Sequence, residues 1–264
     1  METMSVQAVI DLLIQETTGK PLTDTVDVVK AGDPSVPLSG IVTTFLATRA
    51  VIERAIELGA NLIVTHEPVF YNHLDETDWL EDDPVYQSKR DLIDDHQIVI
   101  WRFHDYWHRH RPDGIYSGVL RALGWQTYVD SDARGVCAIP PVSLGELVEV
   151  LKRKLGAEGV RVTGNPDMVC RRVALSVGAI GGRWQIGQLA ADGIDAIVCG
   201  EINEWETCEY VRDAAHMGLD KGLIVVGHAN SEEAGMKYLV EWLQDRLPDV
   251  PIAHLPAGDP FCHM

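Results

Sequence analysis

The 264-residue sequence is poor in positive charge and has no long apolar run. It contains 22 Lys and Arg residues against 40 Asp and Glu residues, for a formal net charge of -18. Because binding to a phosphate backbone depends on Lys and Arg, this balance argues against a general nucleic-acid-binding role. A membrane-spanning helix needs about 20 predominantly apolar residues, and the N-terminus begins with an acid rather than a basic run. We therefore predict a soluble cytoplasmic protein that binds neither nucleic acid nor a membrane.

Cysteine is also scarce and scattered. The five cysteines are odd in number and form no C-x-x-C pair: Cys137, Cys170, Cys199, Cys208 and Cys262. This spacing argues against both a disulfide framework and a Cys-rich zinc site, and it predicts buried, inert thiols. With 46% hydrophobic and 23% charged residues, the composition is that of an ordinary globular protein of one large domain or two moderate ones.

The hydrophobic pattern alternates between strands and helices. An amphipathic helix opens the chain and can stop at Gly19, and an apolar strand at 40–42, a helix at 47–58 and a second strand at 61–65 follow. Continuous apolar strands separated by helices predict a parallel sheet covered on both faces, and therefore an α/β fold. The acidic segment 74–95 is expected to be a solvated loop and helix face, because it lacks the spacing of a calcium loop.

An internal sequence repeat divides the chain into two halves. Residues 59–67 resemble residues 193–201, and the strand that leads to His104 resembles the strand that leads to His228. We expect two similar α/β halves that face each other about an approximate twofold axis, with the second module starting near Tyr128. Ligands bind at the C-terminal ends of the strands in such sheets.

Polar side chains gather where these strands end. His66 and Glu67 close an apolar strand, and Pro68 makes a break there plausible, so that both side chains can face one centre. Two further pairs have the spacing of one helical turn: His104 with His108, and His228 with Glu232. Imidazole nitrogens with carboxylate oxygens suit zinc, manganese, iron or cobalt, and two carboxylates could bridge two ions. The alternative is incidental polar clustering.

Two other features are weaker. The glycine-rich segment 178–182 lacks the dinucleotide and P-loop patterns, so we interpret it as a tight turn that could still lie near the site. Glu201 occupies, in the second copy of the repeat, the position that Glu67 has in the first. It is either an acid that supports the site or a general base, or else a solvated carboxylate at a strand end.

Taken in order, the motifs resemble those of the NIF-three-like family, also labelled GTP cyclohydrolase I type 2 homologues. That family has T-H-H-P, H-T-N-x-D, T-G-E and G-H-x-x-[ST]-E motifs. The corresponding segments here are T-H-E-P at 65–68, H-D-Y-W-H at 104–108, C-G-E at 199–201 and G-H-A-N-S-E at 227–232. The resemblance covers nearly the whole chain. It implies a ring-forming fold with a dinuclear metal centre.

The resemblance also implies a set of site residues. His66, His228 and Glu232 match family metal ligands without change, whereas Glu67 stands where the family has a second histidine and His108 where it has an aspartate. The two exchanges are reciprocal and leave the inventory of ligand types the same. His104 matches a family histidine beside the ions, which implies a supporting or substrate-contacting role.

The chain is expected to consist of two halves, only one of which holds metal ligands. Residues 1–127, completed by 228–264, should form the half that holds metal ligands, and residues 128–227 the other half. The resemblance implies a homohexameric ring. We expect a metal-dependent hydrolase of an unidentified small molecule, with two divalent ions (zinc, iron, manganese or cobalt), in which Glu201 or His104 moves protons. The alternative is a non-catalytic ring that stores metal, senses it or acts as a scaffold.

Overall fold

The structure is a computed structural model that describes residues 4–130 and 135–262. The chain divides into two compact units, Met1–Ile115 with Gly235–Ala257, and Tyr116–Ala234 with Gly258–Met264. The domain limits expected from the sequence stay a prediction. In chain order the elements are α1 (Val6–Thr18), β1 (Val29–Ala31), β2 (Ile41–Thr44), α2 (Arg49–Glu57), β3 (Leu62–Thr65), α3 (Pro84–Asp95), β4 (Val99–Arg102), α4 (Asp105–Arg109), α5 (Gly114–Leu123), β5 (Val136–Ser143), α6 (Leu144–Leu155), β6 (Arg161–Thr163), β7 (Val169–Ser176), α7 (Gly182–Ala190), β8 (Ala196–Cys199), α8 (Glu209–His216), β9 (Gly222–Val225), α9 (His228–Gln244) and β10 (Ile252–His254).

Each unit contains one five-stranded mixed sheet. The first has the order β1-β4-β3-β2-β10, in which β1 is antiparallel to β4 and the other pairs are parallel. The second has the order β5-β7-β8-β9-β6, with a parallel centre and two antiparallel edges. The α/β class is confirmed, but the expectation of a purely parallel sheet is wrong at the edges. Those edge strands are short or contain exposed residues, so they lack the apolar signal on which the expectation rested.

The sheet of the first unit is covered on both faces. Every residue of β2, β3 and β4 is buried, as their continuous apolar runs require. Ile100 packs with residues of α2 and α3 on one face. The next residue, Trp101, points to the other face, because successive strand residues alternate, and its ring lies 4.9 Å from that of Phe103.

Strand register explains why the candidate residues meet within each unit. In the first unit, Thr65 at the end of β3 is paired with Arg102 at the end of β4. The two strands therefore finish level, and the residues that follow them start from neighbouring points. In the second unit, Ser176, Cys199 and Val225 end their strands at the same level in the same way.

Helix boundaries follow local capping. α1 ends at Gly19, whose φ of 72° is the left-handed conformation that glycine tolerates. α2 starts after Thr48, whose hydroxyl accepts a hydrogen bond from the amide of Val51, so the helix is shorter than the predicted 47–58. The last helix, α9, begins at His228. Its first turns are polar and carry no hydrophobic periodicity.

The acidic segment and the cysteines agree with expectation in part. Most acids between residues 74 and 95 are exposed, but the side chain of Asp75 is only 4% exposed and forms a 3.2 Å ion pair with Lys30. All five cysteines are free thiols, and burial raises the pKa of Cys137 and Cys170 to about 11 and that of Cys199 to about 12. Cys208 is only half-buried and Cys262 is exposed. Within residues 4–130 and 135–262, no helix is long and apolar enough to cross a bilayer.

Candidate metal centre

His66 and Glu67 lie directly after β3, where the chain leaves the sheet. The amides of both residues donate to the carbonyl of Phe45, at 3.1 and 2.8 Å, which ends the regular strand pairing. Two consecutive residues can then turn toward one side. The potential ligand atoms of His66 and Glu67 lie within 4.8 Å of each other.

Three imidazoles form a compact group in the first unit. The ligand atoms of His66, His104 and His108 all lie within 4.8 Å of one another, a spacing that could hold a metal ion. The ring of His66 stacks on that of His104 with centroids 4.6 Å apart, and the ring of His108 meets both edge-on. His66 is fully buried, whereas the side chain of His104 is 27% exposed. The sequence placed His104 beside the ions, and the structure places it inside this group.

An oxygen atom anchors the Nδ1 of each of the three imidazoles. The pairs are His66 Nδ1 with Phe103 O at 3.3 Å, His104 Nδ1 with Asp105 Oδ1 at 2.9 Å, and His108 Nδ1 with Asp113 Oδ2 at 3.0 Å. A neutral imidazole that donates from Nδ1 presents the lone pair of Nε2, and metal-binding histidines are oriented in this way. In this orientation Nε2 of each ring is the nitrogen that would contact an ion or exchange a proton.

The short helix α4 that carries His108 is fixed by carboxylates. Both oxygens of Asp27 accept backbone hydrogen bonds, one from His104 and one from Tyr106, each 2.9 Å long. These bonds satisfy the helix N-terminus. Burial raises the pKa of Asp27, against the opposing effect of those bonds. The hydrogen bond from His104, with one from Thr25, holds the pKa of Asp105 well below its usual range.

The loop after Glu67 is braced by residues that the sequence did not single out. Asp75 accepts hydrogen bonds from the amides of Val69 and Phe70, both 2.7 Å long, and it pairs with Lys30. Arg102, the last residue of β4, is fully buried and contacts Glu67. An arginine at the end of an apolar strand is the signal that could have identified it, since a buried guanidinium needs partners.

A second cluster lies in the second unit, at the start of α9. Nε2 of His228 is 3.1 Å from Oε2 of Glu232, one helical turn away. Nδ1 of the same imidazole is 2.9 Å from Oε1 of Glu201, so this histidine is oriented by an oxygen as the other three are. Glu232 is almost fully buried, while the side chain of Glu201 is 59% exposed.

The glycine-rich segment packs against this second cluster. Gly178 has a φ of 71°, and a Cβ there would lie 2.6 Å from Oε1 of Glu232. The Ser231 hydroxyl accepts a hydrogen bond from the amide of Gly178 and donates one to the carbonyl of His228. The segment bends at residues 178–179, and the absence of a side chain at Gly178 makes room for the carboxylate of Glu232.

The second unit also contains a mostly apolar cavity of about 910 Å³. Ile180, Trp184, Gly187 and Gln188 belong to its wall, and its charged residues balance as two arginines against two acids. Gly182, a residue of the wall, lies four positions after Gly178 in the chain. Glu206, also in the wall, lies five positions after Glu201. Small-molecule sites have this size and character.

The residues present fit a transition metal. Three imidazoles from one group are the protein ligands of several catalytic zinc sites, in which a fourth position stays open. Imidazole and carboxylate together also suit iron, manganese and cobalt. The structure therefore contains a His/Glu group that could bind metal.

Comparison with known proteins agrees with this geometry. The sequence profile of a family described as Duf34/NIF3 (NGG1p interacting factor 3) matches residues 15–259. The chain belongs to the Duf34/NIF3 family. The resemblance seen in the sequence motifs is thereby confirmed.

Named relatives and solved structures match most or all of the chain. A Clostridium perfringens protein named GTP cyclohydrolase 1 type 2 homolog is 27% identical over 87% of this chain and 88% of its own length. An Escherichia coli protein of the same name is 26% identical over 82% and 84%. The structure of a Bacillus cereus protein related to NIF3 matches with a TM-score of 0.80, at 17% identity and full coverage of both chains. A Staphylococcus aureus protein matches at 0.75, with 18% identity and full coverage. These structures show that the fold is shared.

Proposed function

We propose that this Duf34/NIF3 protein is a metal-dependent hydrolase of a small molecule. Two divalent ions would be held by His66, Glu67, His108, His228 and Glu232. The observation that carries this proposal is the spacing of three imidazoles: the ligand atoms of His66, His104 and His108 lie within 4.8 Å of one another, and each Nδ1 is held by an oxygen atom.

A bound ion would supply an activated water, because coordination lowers the pKa of that water to about 7. The chain's own residues would move the protons. His104 is partly exposed, and with Nδ1 held by Asp105 it can hold or release a proton at Nε2. Glu201 is the more exposed carboxylate of the second cluster, and it can exchange protons with solvent while it orients His228.

The names of the relatives support a ring-opening hydrolysis. Cyclohydrolases add water to a heterocyclic ring, and the Clostridium perfringens and Escherichia coli relatives are named as homologues of such an enzyme. The net charge of -18 disfavours an anionic nucleotide unless the bound ions neutralise its phosphates. The cavity in the second unit supports a compact, largely apolar substrate.

The test is a hydrolysis screen with metal-loaded protein. Purified protein reconstituted with zinc, iron, manganese or cobalt would be incubated with GTP and with a panel of uncharged heterocycles, amides and lactams. His66→Ala is the matched inactive control, because His66 belongs to the buried imidazole group. Metal-dependent hydrolysis that disappears in the variant supports the proposal. Stoichiometric metal without turnover of any compound would instead favour a non-catalytic metal-storage, metal-sensing or scaffold protein.

We also propose that the chain assembles into a homohexamer, as its family resemblance implies. Light scattering coupled to size-exclusion chromatography gives the mass directly. A mass of about 29.2 kDa, that of one chain, would contradict the assembly.

A further inference from the structure

Arg102 places a positive charge inside the first unit, against the candidate metal ligands. The residue is fully buried and donates three hydrogen bonds: Nε to the carbonyl of His66 at 3.2 Å, Nη1 to the carbonyl of His73 at 2.6 Å, and Nη2 to Oε2 of Glu67 at 3.2 Å. Burying a guanidinium is costly unless such partners compensate for the lost water. Arg102 therefore ties the start of the loop at His66 to His73, seven residues further along it.

The two oxygens of Glu67 have different surroundings. Oε2 faces the guanidinium of Arg102, while Oε1 lies 4.0 Å from Nε2 of His104, on the side of the imidazole group. The side chain of Glu67 is only 12% exposed, so solvent contributes little to its orientation. A carboxylate held in this way offers a metal ion one oxygen.

The shape of the arginine head is suited to this task. A guanidinium is planar and directs its N–H groups along fixed directions, whereas a lysine ammonium is a compact point charge. Arg102 serves two carbonyl oxygens and one carboxylate at once, and a single ammonium cannot reach all three with the same geometry. The loop also has its own brace in Asp75, which does not depend on Arg102.

We infer that Arg102 is a positioning residue that adapts the site to a glutamate at position 67. Its guanidinium occupies Oε2, compensates the added negative charge, and limits Glu67 to coordinating a metal through Oε1 alone. This inference rests on the proposed metal site. It also gives a physical reason why a carboxylate can stand where the family resemblance expects a neutral imidazole.

A double-mutant cycle tests this inference. The affinity for Co(II), used as the metal probe, would be measured in the full-length wild type, Arg102→Met, Glu67→His and the double variant, together with the visible absorption of the bound ion. Loss of a residue that orients a ligand typically costs 10- to 100-fold in metal affinity, and we expect a loss of about this size for Arg102→Met in the wild-type background. With histidine at position 67 there is no carboxylate to orient, so the same change should cost no more than about threefold.

A purely structural role gives a different result. If Arg102 only supports the loop, its removal should weaken Co(II) binding equally in both backgrounds, and an additive cycle would overturn the inference. If the wild type binds no Co(II), the proposed metal site fails as well. If the wild type binds Co(II) but the cycle is additive, only the role of Arg102 is rejected, and the proposed metal site stands.

Two further variants guard against loss of the fold. Arg102→Lys keeps the buried charge, and it replaces Arg102→Met in the cycle, with the same criteria, if the methionine variant does not fold. Asp75→Asn removes the ion pair with Lys30 in the same loop without touching Glu67. It should lower thermal stability and leave the Co(II) absorption unchanged. A changed spectrum in this control would show that any disturbance of the loop alters the site, and would contradict a specific role for Arg102.

Discussion

His228 and Glu232 lie one helical turn apart in α9, and Nε2 of the imidazole is 3.1 Å from Oε2 of the carboxylate. Because both residues are on one helix, their separation is set by the helix itself and does not depend on a flexible loop. Glu201 on one side of the imidazole and Gly178 beside the carboxylate fix both side chains further. The pair is therefore preorganised, which is the condition for a protein to bind metal tightly.

Asp113 should control the ion bound by His108. Its carboxylate accepts the Nδ1 hydrogen bond of that imidazole at 3.0 Å, and loss of such a partner costs about 10- to 100-fold in metal affinity. We expect Asp113→Ala to show this loss in a zinc competition titration. Asp113→Asn should lose less, because its amide oxygen can still accept the bond. Equal zinc affinity in the alanine variant and the wild type would contradict the assigned orientation of His108.

Gly178→Ala should damage the second cluster. The substitution combines a left-handed backbone with a methyl group 2.6 Å from Oε1 of Glu232. We expect a loss of about 1–3 kcal/mol in the free energy of unfolding together with weaker metal binding. Gly218→Ala is the control, since its φ of 77° imposes a similar backbone cost with nothing near the added Cβ. If the two variants bind metal equally well, Gly178 is needed only for the turn.

Gly187→Leu should place a bulky side chain in the cavity of the second unit. Gly187 is helical, its added Cβ would meet open space, and leucine favours a helix over glycine by about 0.8–1 kcal/mol. Stability and metal content should therefore be kept. For a compound hydrolysed by the wild type, we expect KM to rise at least about tenfold, since the leucine side chain takes part of the space for the substrate, whereas Gly187→Ala should change it little. An unchanged KM in the leucine variant would place the substrate elsewhere.

Lys89 should give the protein a distinct alkaline stability profile. The lysine is 3% exposed, its Nζ donates to the carbonyl of Val69 at 2.7 Å, and burial lowers its pKa to about 8, partly offset by Asp75. Between pH 8 and 10.5 the unfolded lysine keeps a proton that the native one has released. The free energy of unfolding therefore rises with pH across this window.

Urea unfolding of wild type and Lys89→Met from pH 7 to pH 10.5 isolates this contribution, because other groups titrate in both proteins. The difference in unfolding free energy should move in favour of the wild type by on the order of 3 kcal/mol. A difference that does not vary with pH would show that Lys89 keeps an ordinary pKa.

The sequence was sufficient to predict the α/β class and the strands that lead to the candidate ligands. Those strands are continuous apolar runs that end in polar residues, and the level ends of β3 and β4 bring His66 and His104 together. The start of α9 at His228 has no apolar stripe, and only the spacing of His228 and Glu232 indicates it. The antiparallel edge strands were missed for a similar reason.

The supporting contacts could not be predicted from local patterns. Asp27 caps α4 across about 80 positions of sequence, and Arg102 reaches Glu67 across 35. Neither spacing leaves a periodic signal, since such contacts depend on how strands are ordered in the sheet. The candidate ligands and Glu201 could be identified from the sequence, whereas Asp113 and Arg102, which contact two of those candidates, could not.

The proposed function requires that the chain holds divalent metal through both clusters. Elemental analysis by plasma mass spectrometry measures the number of metal ions per chain. It would be done on protein purified without chelator or a nickel column, for the wild type, His66→Ala, His228→Ala and the exposed-histidine control His216→Ala. We predict about two transition-metal ions per chain in the wild type and in the control, and a clear loss in the other two variants. A wild type that contains no metal even after reconstitution with zinc, iron, manganese or cobalt, or site variants that keep both ions, would contradict the claim.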